Sequence, residues 1–455
     1  YLPTLMKGLG LPAEPPVLQP IENPSGNYAF TVSWSGVGGA TSYTLEQDSD
    51  ESFASPSLAY HGPQTSASVT VDAVGTYYYR VQASGSFGST DWSNVQSVVV
   101  TVPPPEGWRA KTVDSADGSI DLALDAAGSP HISYDNDGLY RARPLGQDWD
   151  RTYIDDRAYH TSIAVDSGGF GHILYFRGSS RDDTLKYAWE DSEGWHPASF
   201  NLPGLDVGRY NDLAVDTSGD LHMAFSTWRC MLWGPGGNCI SWDPSDLVYM
   251  VLHEGEFQAS VVGYSAEYVS IALDDSGAPH VSYHNGYNET LKYARPGFAG
   301  AHTVDESATV GLYASVAVEG QGASLVPHIA YYDATNEDLK YAYASGPDFY
   351  HLEWHTEPVD TAGDVGRYAS IALDADGYPH ITYYDGDNQD LEYAYQDDQG
   401  WHRETVDSDG DVGRWSSLAI DGDGNLHVAY YDATNETVKY ATLSRPASVE
   451  HPSVE

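Results

Sequence analysis

The stretch SIALDADGYPHITYYDGDNQDLEYAY (370–395) contains three short segments of alternating apolar and polar residues, separated by two polar turns. Gly377 lies in the first turn and Gly386 in the second. Alternation with a period of two indicates strands with one buried face, and Asp, Asn and Gly are typical of tight turns. The stretch therefore predicts an antiparallel meander.

The unit S-x-A-x-D-x-x-G-x-P-H-x-x-Y-Y-D recurs along the chain. Its seven copies begin with DLALDAAGSPHISY (121–134), SIAVDSGGFGHILY (162–175), DLAVDTSGDLHMAF (212–225), SIALDDSGAPHVSY (270–283), SVAVEGQGASLVPHIAY (315–331), SIALDADGYPHITY (370–383) and SLAIDGDGNLHVAY (417–430). Most copies continue with a third strand, such as DLKYAY, and a fourth that starts near an aromatic residue, such as WHRETV. Four short strands per period of about 40–50 residues are typical of a β-propeller blade. A solenoid is the alternative, but seven copies without capping repeats favour a closed ring.

The sequence thus predicts an all-β protein with a seven-bladed β-propeller, whose repeats resemble those of bacterial secreted propeller and lectin-like proteins. The repeat region starts at Trp108 with a fourth-type strand (108–113) and ends with a third-type strand (437–442). We expect these two strands to pair and complete the last blade, because this removes an exposed sheet edge. The propeller would span 108–445, followed by a C-terminal tail over 446–455.

The segment before the repeats has a different character. Residues 16–102 contain short strands such as YAFTVSWS and TYYYRVQAS, and the placement of Trp34, Tyr43 and the final Val run resembles a fibronectin type III domain, a β-sandwich. Such modules usually act as spacers or adhesion units. Consecutive prolines make 103–107 a stiff linker. Residues 1–15 form a Pro- and Gly-punctuated tail that we consider a candidate assembly segment.

Acidic residues dominate the charge. The chain has 66 Asp and Glu against 21 Lys and Arg, a formal net charge of −45. This balance argues against nucleic acid or an anionic membrane surface as a partner, and no stretch approaches the roughly 20 apolar residues of a membrane span. It favours calcium, because hard cations take carboxylate ligands. Since the chain opens at Tyr1, we expect a removed leader and an extracellular or cell-surface location.

Much of this charge is predicted to lie on one side of the ring. In a meander, the loops between strands two and three and those from strand four to the next blade leave by the same face, which we call the acidic face. Its loops include 331–338, 360–368, 383–390, 407–415 and 430–437.

These loops supply candidate calcium ligands. The alternating acids of DSDGD (407–411) resemble the start of an EF-hand loop, although Leu418 stands where the closing Glu would be. The candidates are Asp360, Asp364, Asp385, Asp387, Asp390, Asp407, Asp409 and Asp411. The alternative is turn chemistry, because Asp, Asn and Gly favour turns for backbone reasons.

Each repeat histidine follows, across a tight turn, an acid at the end of strand one. Examples are the pairs Asp125 with His131, Asp374 with His380, and Asp421 with His427. One interpretation is a ring of metal ligands. The other is a structural Asp–His hydrogen bond that ties each turn, which recurrence in every blade favours. The turns resemble the Asp-box hairpins of sialidase-type propellers without matching their Ser-x-Asp-x-Gly-x-Thr-Trp pattern.

Three arginines, Arg209, Arg367 and Arg414, recur in a D-V-G-R motif that precedes an aromatic residue. Sialidases use three arginines to grip a carboxylate, so the resemblance implies a ligand-binding role. Each arginine has its own Asp upstream, however, which favours a local brace. No Tyr–Glu nucleophile pair can be assigned, and G-x-S-x-G, H-E-x-x-H and phosphate-loop motifs are absent from the sequence. We therefore predict that the protein is not an enzyme.

The insertion STWRCMLWGPGGNCISWDPSD (226–246) departs most from the repeat. We expect an irregular loop in which Trp228, Trp233 and Trp242 suit sugar stacking or a protein interface, or else cover a miniature core. Cys230 and Cys239 flank a Pro-Gly-Gly bend, so we predict a disulfide, with free thiols as the alternative.

Three functions remain open at this point. The first is a non-catalytic extracellular binding or scaffold protein whose acidic face binds calcium and a carbohydrate or protein partner. The second is a self-associating structural subunit of an extracellular filament or sheath, which uses its N-terminal tail to bind a neighbour. The third is a glycoside-processing, sialidase-like enzyme.

Overall fold

The computed structural model describes residues 14–21, 23, 29–71, 74–100, 107–146, 148–177, 184–200, 206–233, 239–253, 255–320 and 325–444. Across these ranges the chain is nearly all β-strand, with a short 3₁₀ turn over Phe349–His351. In this part of the chain no helix has the length and apolar character needed to cross a membrane. The all-β prediction is confirmed.

The chain divides into two compact units, one built mainly from residues up to 107 and one from most of the chain between 108 and 444. The strands of the first unit are β1 (Ala29–Ser33), β2 (Ala40–Asp48), β3 (Ser57–Gly62), β4 (Ser66–Thr70), β5 (Gly75–Gly85), β6 (Gly88–Ser89) and β7 (Gln96–Val100). β1 pairs with β4, while β3, β2, β5 and β6 form a second sheet in which β7 pairs with β5. Both sheets contribute to one core around Trp34, Tyr43 and Tyr79. The predicted tail and linker positions 1–13, 101–106 and 445–455 lie outside the described residues.

The second unit consists of seven four-stranded antiparallel sheets in the described chain, as expected for propeller blades. From the innermost to the outermost strand, the first three blades are β9 (Ile120–Leu124), β10 (Pro130–Asp135), β11 (Gly138–Leu145), β12 (Asp148–Asp156); β13 (Tyr159–Val165), β14 (Gly171–Arg177), β15 (Thr184–Asp191), β16 (Gly194–Ser199); and β17 (Asp206–Val215), β18 (Leu221–Trp233), β19 (Cys239–His253), β20 (Glu256–Tyr264). Each blade therefore follows the order of its strands in the chain.

The remaining blades follow the same order. They are β21 (Ala266–Leu273), β22 (Pro279–Asn285), β23 (Thr290–Ala294), β24 (Ala301–Asp305); β25 (Val310–Glu319), β26 (Val326–Asp333), β27 (Asp338–Ser345), β28 (Glu353–Asp360); β29 (Val365–Leu373), β30 (Pro379–Asp385), β31 (Asp390–Asp397), β32 (Gly400–Asp407); and β33 (Val412–Ile420), β34 (Leu426–Asp432), β35 (Thr437–Leu443) with β8 (Arg109–Ser115).

The strand β8 closes the ring. It pairs antiparallel with β35, so the first strand of the unit is the outermost strand of the seventh blade. The inner strands β9, β13, β17, β21, β25, β29 and β33 contact one another in this order, and β33 contacts β9. Apolar cores lie between neighbouring sheets, with buried Tyr331, Tyr383 and Tyr430 among their largest side chains. These tyrosines come from the Y-Y-D end of the repeat.

A circle of hydrogen bonds joins the inner strands. At one repeat position each blade carries Ser or Asp, and that side chain accepts the backbone N–H of the next blade. The seven bonds run from Leu122 N to Ser417, Ile163 N to Asp121, Leu213 N to Ser162, Ile271 N to Asp212, Val316 N to Ser270, Ile371 N to Ser315 and Leu418 N to Ser370. Each distance lies between 2.8 and 3.3 Å. This circle fixes the inner strands around a common axis.

The insertion in the third blade differs from the expectation. Strand pairing continues along β18 to Trp233 and along β19 from Cys239, so the backbone forms an extended hairpin and not an irregular loop. Two long neighbouring strands satisfy each other's backbone hydrogen bonds, which a loop of this length could not do.

Candidate functional site

The inner strands surround a solvent-open cavity of about 220 Å³ on the axis of the ring. Each of the seven blades contributes three consecutive residues to its lining, namely 119–121, 160–162, 210–212, 268–270, 313–315, 368–370 and 415–417. These residues lie in the first part of each inner strand, near the loop that enters it, so the cavity lies towards the acidic face. Lys and Arg are absent from this lining. The site is therefore an electronegative concavity that all seven blades build together.

Aromatic rings form an arc at the mouth of this cavity. The first residue of each lining triplet is aromatic in six blades: His160, Tyr210, Tyr268, Tyr313, Tyr368 and Trp415. Successive ring centroids are 6.0, 4.7, 4.6, 4.6 and 5.2 Å apart, with interplanar angles between 43° and 58°. All six side chains are partly exposed. We call this set the aromatic arc; the first blade interrupts it with Ser119 at the same position.

The backbone of the arc is strained in a repeated way. The pairing of strands one and two slips at this point in six blades, as it does between Arg367 and Ser370, and the extra residue redirects the side chain. Five arc residues have left-handed φ: His160 at 48°, Tyr268 at 50°, Tyr313 at 52°, Tyr368 at 53° and Trp415 at 48°. Gly or Asn adopts this conformation at low cost, whereas a bulky residue pays about 1–2 kcal/mol. The repeated choice of an aromatic residue indicates that the rings themselves matter.

Tyrosine hydroxyls in the arc stay neutral at physiological pH. Burial, followed by the adjacent Tyr268, raises the pKa of Tyr313 to about 12. Burial also raises the pKa of Tyr268 and Tyr368, with a further contribution from the neighbouring tyrosine in each case. The arc can therefore offer both apolar faces and hydrogen-bonding hydroxyls.

Two carboxylates, Asp121 and Asp212, lie beneath the arc and line the cavity. The Asp121 carboxylate accepts hydrogen bonds from Ser417 Oγ at 2.7 Å and Ile163 N at 2.8 Å. The Asp212 carboxylate accepts from Ser162 Oγ at 2.7 Å and from two backbone N–H groups. Burial raises the pKa of Asp121, and burial followed by the charge of Asp121 raises that of Asp212 to about 6. Burial thus opposes ionisation of both carboxyl groups, although Asp212, with a pKa of about 6, is mostly ionised at pH 7.

Behind the arc, the arginines of the D-V-G-R motif act as braces. Arg367 pairs with Asp364 at 2.6 Å and lies over the ring of Tyr332 at 5.4 Å, while the Tyr332 hydroxyl donates to Asp364 at 2.7 Å. The Tyr332 ring in turn contacts Tyr313 of the arc, with centroids 6.3 Å apart. These contacts hold the arc from outside.

The next blade junction repeats this arrangement. Arg414 pairs with Asp411 at 2.6 Å and lies over Tyr384, whose hydroxyl donates to the same carboxylate. Neither Arg367 nor Arg414 lines the cavity. The local brace proposed from the sequence describes both arginines, whereas the side chain of Arg209 lies outside the described residues.

The calcium candidates are distributed among different partners. Asp407 forms an ion pair with Lys439 and accepts from Tyr430 at 2.6 Å, and Asp360 likewise pairs with Arg403 and accepts from Tyr383. The DSDGD acids therefore do not converge, because Asp411 faces Arg414.

The remaining candidates serve mainly as turn acceptors. Asp385 accepts from the backbone of Asp387 and Asn388, Asp387 accepts from the backbone of Asp364 at 3.3 Å, and the side chain of Asp407 accepts from the backbone of Asp409. Burial raises the pKa of Asp390. Within the described residues no group of three or more acidic, His or Cys side chains could hold a metal ion. Calcium binding stays a prediction.

Six of the seven repeat histidines lie between an acid and a tyrosine hydroxyl. His380 Nε2 lies 3.4 Å from Asp374, and His380 Nδ1 lies 2.5 Å from the hydroxyl of Tyr393. The other pairs place Nε2 of His427 3.2 Å from Asp421 and Nε2 of His131 3.8 Å from Asp125. Burial lowers the pKa of His280 and His328 to about 4. Neutral, enclosed histidines of this kind tie the strands of a blade, and sequence reasoning missed their tyrosine partners.

Some predicted positions cannot be placed in the site. The side chains of Trp228, Trp233 and Trp242, and those of Cys230 and Cys239, lie outside the described residues, so their ligand-binding role and the disulfide stay predictions. The sequence did contain a signal for the aromatic arc. In six copies an aromatic residue stands two positions before the Ser or Asp that opens the repeat unit, and in three of these it follows D-V-G-R.

Comparisons with known proteins yield distant matches in structure. No family model and no curated protein matches the chain. YCF48 bound to a D1 peptide shares 12% identity over 76% of this chain and 97% of its own, with a TM-score of 0.48. SapL1 lectin in complex with α-methyl fucoside shares 14% over 64% and 97% (TM-score 0.38), and the α-L-arabinofuranosidase Arb93A from Fusarium graminearum shares 9% over 75% and 98% (TM-score 0.42). With such low values, the function has to be argued from this chain's own residues.

Proposed function

We propose that the protein is a non-catalytic carbohydrate-binding protein that holds one sugar unit in the aromatic arc. The observation that carries this proposal is the arc itself: six aromatic side chains placed by the same bulge around one cavity. Aromatic faces bind the apolar faces of sugar rings, while hydroxyl groups donate and accept hydrogen bonds at the ring edges and carboxylates accept them. Both types of group line this cavity.

The size of the cavity supports a small ligand unit. Its volume of about 220 Å³ is below the roughly 300–1,000 Å³ of pockets for drug-sized molecules. One sugar ring, or the end of a chain of sugars, suits such a space. The remaining units of such a sugar chain would extend past the acidic loops into solvent.

The carboxylates argue for binding over hydrolysis. Glycosidases need one carboxyl group to give a proton and a second to attack or to activate water. In this cavity, Asp121 and Asp212 are acceptors in the hydrogen-bond circle that joins the blades, and Asp212 alone accepts three hydrogen bonds. Carboxylates whose oxygens already accept these interblade hydrogen bonds are poorly placed to exchange protons with a substrate.

A glycan array followed by calorimetry tests the proposal. Tyr368→Asn removes one ring while Asn tolerates the left-handed backbone, so we expect affinity to fall about tenfold or more. Tyr287→Asn is the matched control, because Tyr287 is 84% exposed and does not line the cavity. Absence of any glycan ligand, or equal losses in both variants, would refute sugar binding at the arc. Release of fluorophore from fluorogenic glycosides would refute the non-catalytic assignment.

A further inference from the structure

The lining of the cavity contains two carboxyl groups, Asp121 and Asp212, in addition to the aromatic arc. The aromatic arc is interrupted only at the first blade, where Ser119 stands in place of an aromatic residue. Asp121, two residues further along the chain, also lines the cavity. Asp212 of the third blade is close enough for Asp121 to raise its pKa. A ligand group that passes the aromatic rings therefore meets two carboxylates.

Aromatic faces and carboxylates favour the same kind of ligand group. The face of an aromatic ring carries negative partial charge and attracts a cation above it, most strongly where water is excluded. Asp212 is mostly ionised at pH 7, since its pKa is about 6, and because burial weakens solvent screening its charge acts at longer range than on the surface. Lys and Arg are absent from the cavity lining, in which His160 is the one basic side chain, and the chain as a whole carries −45. The carboxylates, the aromatic faces and the net negative charge repel acidic and sulfated sugars, and the lining offers no Lys or Arg to bind them.

We infer that the sugar bound in the aromatic arc carries a free ammonium group, as in a deacetylated amino sugar. This inference rests on the proposed function, since it names the class of sugar that the same cavity takes. The ring of the sugar would lie against the aromatic arc, and its ammonium group would point towards Asp121 and Asp212. The acidic loops would draw such a polycationic chain to the mouth before it binds.

The repeat itself supplies a substitution that removes the charge and keeps the fold. Five of the seven blades have Ser where the first and third have Asp121 and Asp212, and each of these serines accepts the same interblade N–H bond. The double variant D121S/D212S therefore preserves the circle of hydrogen bonds. The control D376S/D423S removes two charges from exposed turns of the opposite face.

Calorimetric titrations with three soluble oligosaccharides test the inference: fully deacetylated glucosamine oligomers, their N-acetylated counterparts and oligouronates. We expect the deacetylated oligomer to bind about tenfold or more tightly than the N-acetylated one, and the oligouronate not to bind. D121S/D212S should lose this preference but keep its affinity for the N-acetylated oligomer, while D376S/D423S keeps both.

The outcomes separate the two proposals. Equal affinity for acetylated and deacetylated oligomers, or a preference that survives in D121S/D212S, would overturn the inference and leave sugar binding intact. Binding of none of the sugars in these titrations and on the glycan array would overturn the proposed function as well. A D121S/D212S protein that melts at or above the temperature of the wild type shows that any lost preference comes from charge and not from misfolding.

Discussion

Asp212 offers a direct test of the energetics of the cavity, because the substitution Asp212→Ser should make the protein more stable at neutral pH. The pKa of the Asp212 carboxyl is raised from 3.8 to about 6, first by burial and then by Asp121. A shift of about two pKa units corresponds to about 3 kcal/mol of penalty for the ionised form at pH 7. Ser at this position still accepts the N–H of Ile271, as serine does at this position elsewhere in the ring.

The substitution also removes an acceptor. Ser162 Oγ and Leu213 N lose Asp212 Oδ1, although Leu213 N keeps Ser162 Oγ at 3.3 Å. One lost hydrogen bond costs about 1 kcal/mol. Because Asp212 lines the cavity and solvent reaches it in part, the free-energy penalty of its ionised form is at most about 3 kcal/mol. After subtraction of the lost hydrogen bond, we expect D212S to be more stable than the wild type by about 1–2 kcal/mol at pH 7–8.

The pH dependence of this gain gives the refutation. A carboxyl group with a raised native pKa favours the folded state fully below pH 3.8, and this contribution is lost as the pH rises through about 6. The advantage of D212S over the wild type should therefore be full above pH 6 and should turn into a deficit of about 1 kcal/mol towards pH 4, where only the lost hydrogen bond remains. Urea unfolding of both proteins between pH 4 and 8 measures it. A variant that is less stable at pH 8, or a difference that does not change with pH, would show that Asp212 is not under electrostatic penalty.

Three other substitutions or conditions test the framework around the site. Lys439→Met leaves the largely buried Asp407 carboxylate without its cation and should reduce the free energy of unfolding in urea by about 3 kcal/mol. The control Lys292→Met removes a donor to Thr303 Oγ1 and should cost about 1 kcal/mol, so equal costs would contradict the ion-pair assignment. Tyr393→Phe removes the hydrogen-bond partner of His380 Nδ1 and should destabilise the protein by about 1–3 kcal/mol. Tyr343→Phe, at a position that is 37% exposed, should have a smaller effect, and equal unfolding midpoints of the two variants would argue against the His–Tyr hydrogen bond. The pKa of His280 and His328 is lowered to about 4, so the unfolded chain binds more protons than the folded chain between pH 4 and 6.5. Lowering the pH from 6.5 to 4 should therefore reduce stability by up to about 3 kcal/mol per histidine, measured in the D212S background because Asp212 acts in the opposite direction. An unfolding free energy that does not fall with pH in that background would contradict the neutral, buried state of the two histidines.

The repeated sequence was sufficient to predict the strands and their arrangement in sheets. Alternating residues, Gly turns and the recurrence of the unit are local signals, and hydrogen bonding within each meander depends on neighbours in the chain. The expectation that strand 108–113 pairs with 437–442 followed from counting strand types, and the structure pairs Arg109–Ser115 with Thr437–Leu443. The extended hairpin of the third blade was missed because Pro, Gly and Cys residues suggested a loop.

The partners of the acidic residues were beyond such local reasoning. Asp407 and Asp411 are close in sequence and looked like ligands of one cation, yet Asp407 faces Lys439 of the seventh blade and Asp411 faces Arg414 and Tyr384. Which cation reaches which carboxylate depends on the packing of one blade against the next. Spacing along the chain does not contain that information.

The sequence by itself determined an acidic, all-β chain of repeated four-stranded units. The tertiary structure alone decided where its candidate site lies. His160 belongs to the second blade and Trp415 to the seventh, and ring closure brings them into the lining of one cavity with Tyr210, Tyr268 and the other arc residues. A bulge in six of the seven inner strands then turns the aromatic side chains towards the axis, and the circle of Ser and Asp acceptors places two carboxylates in the same lining. The physical reason is symmetry: closing a repeat into a ring places equivalent residues from distant segments around a single axis.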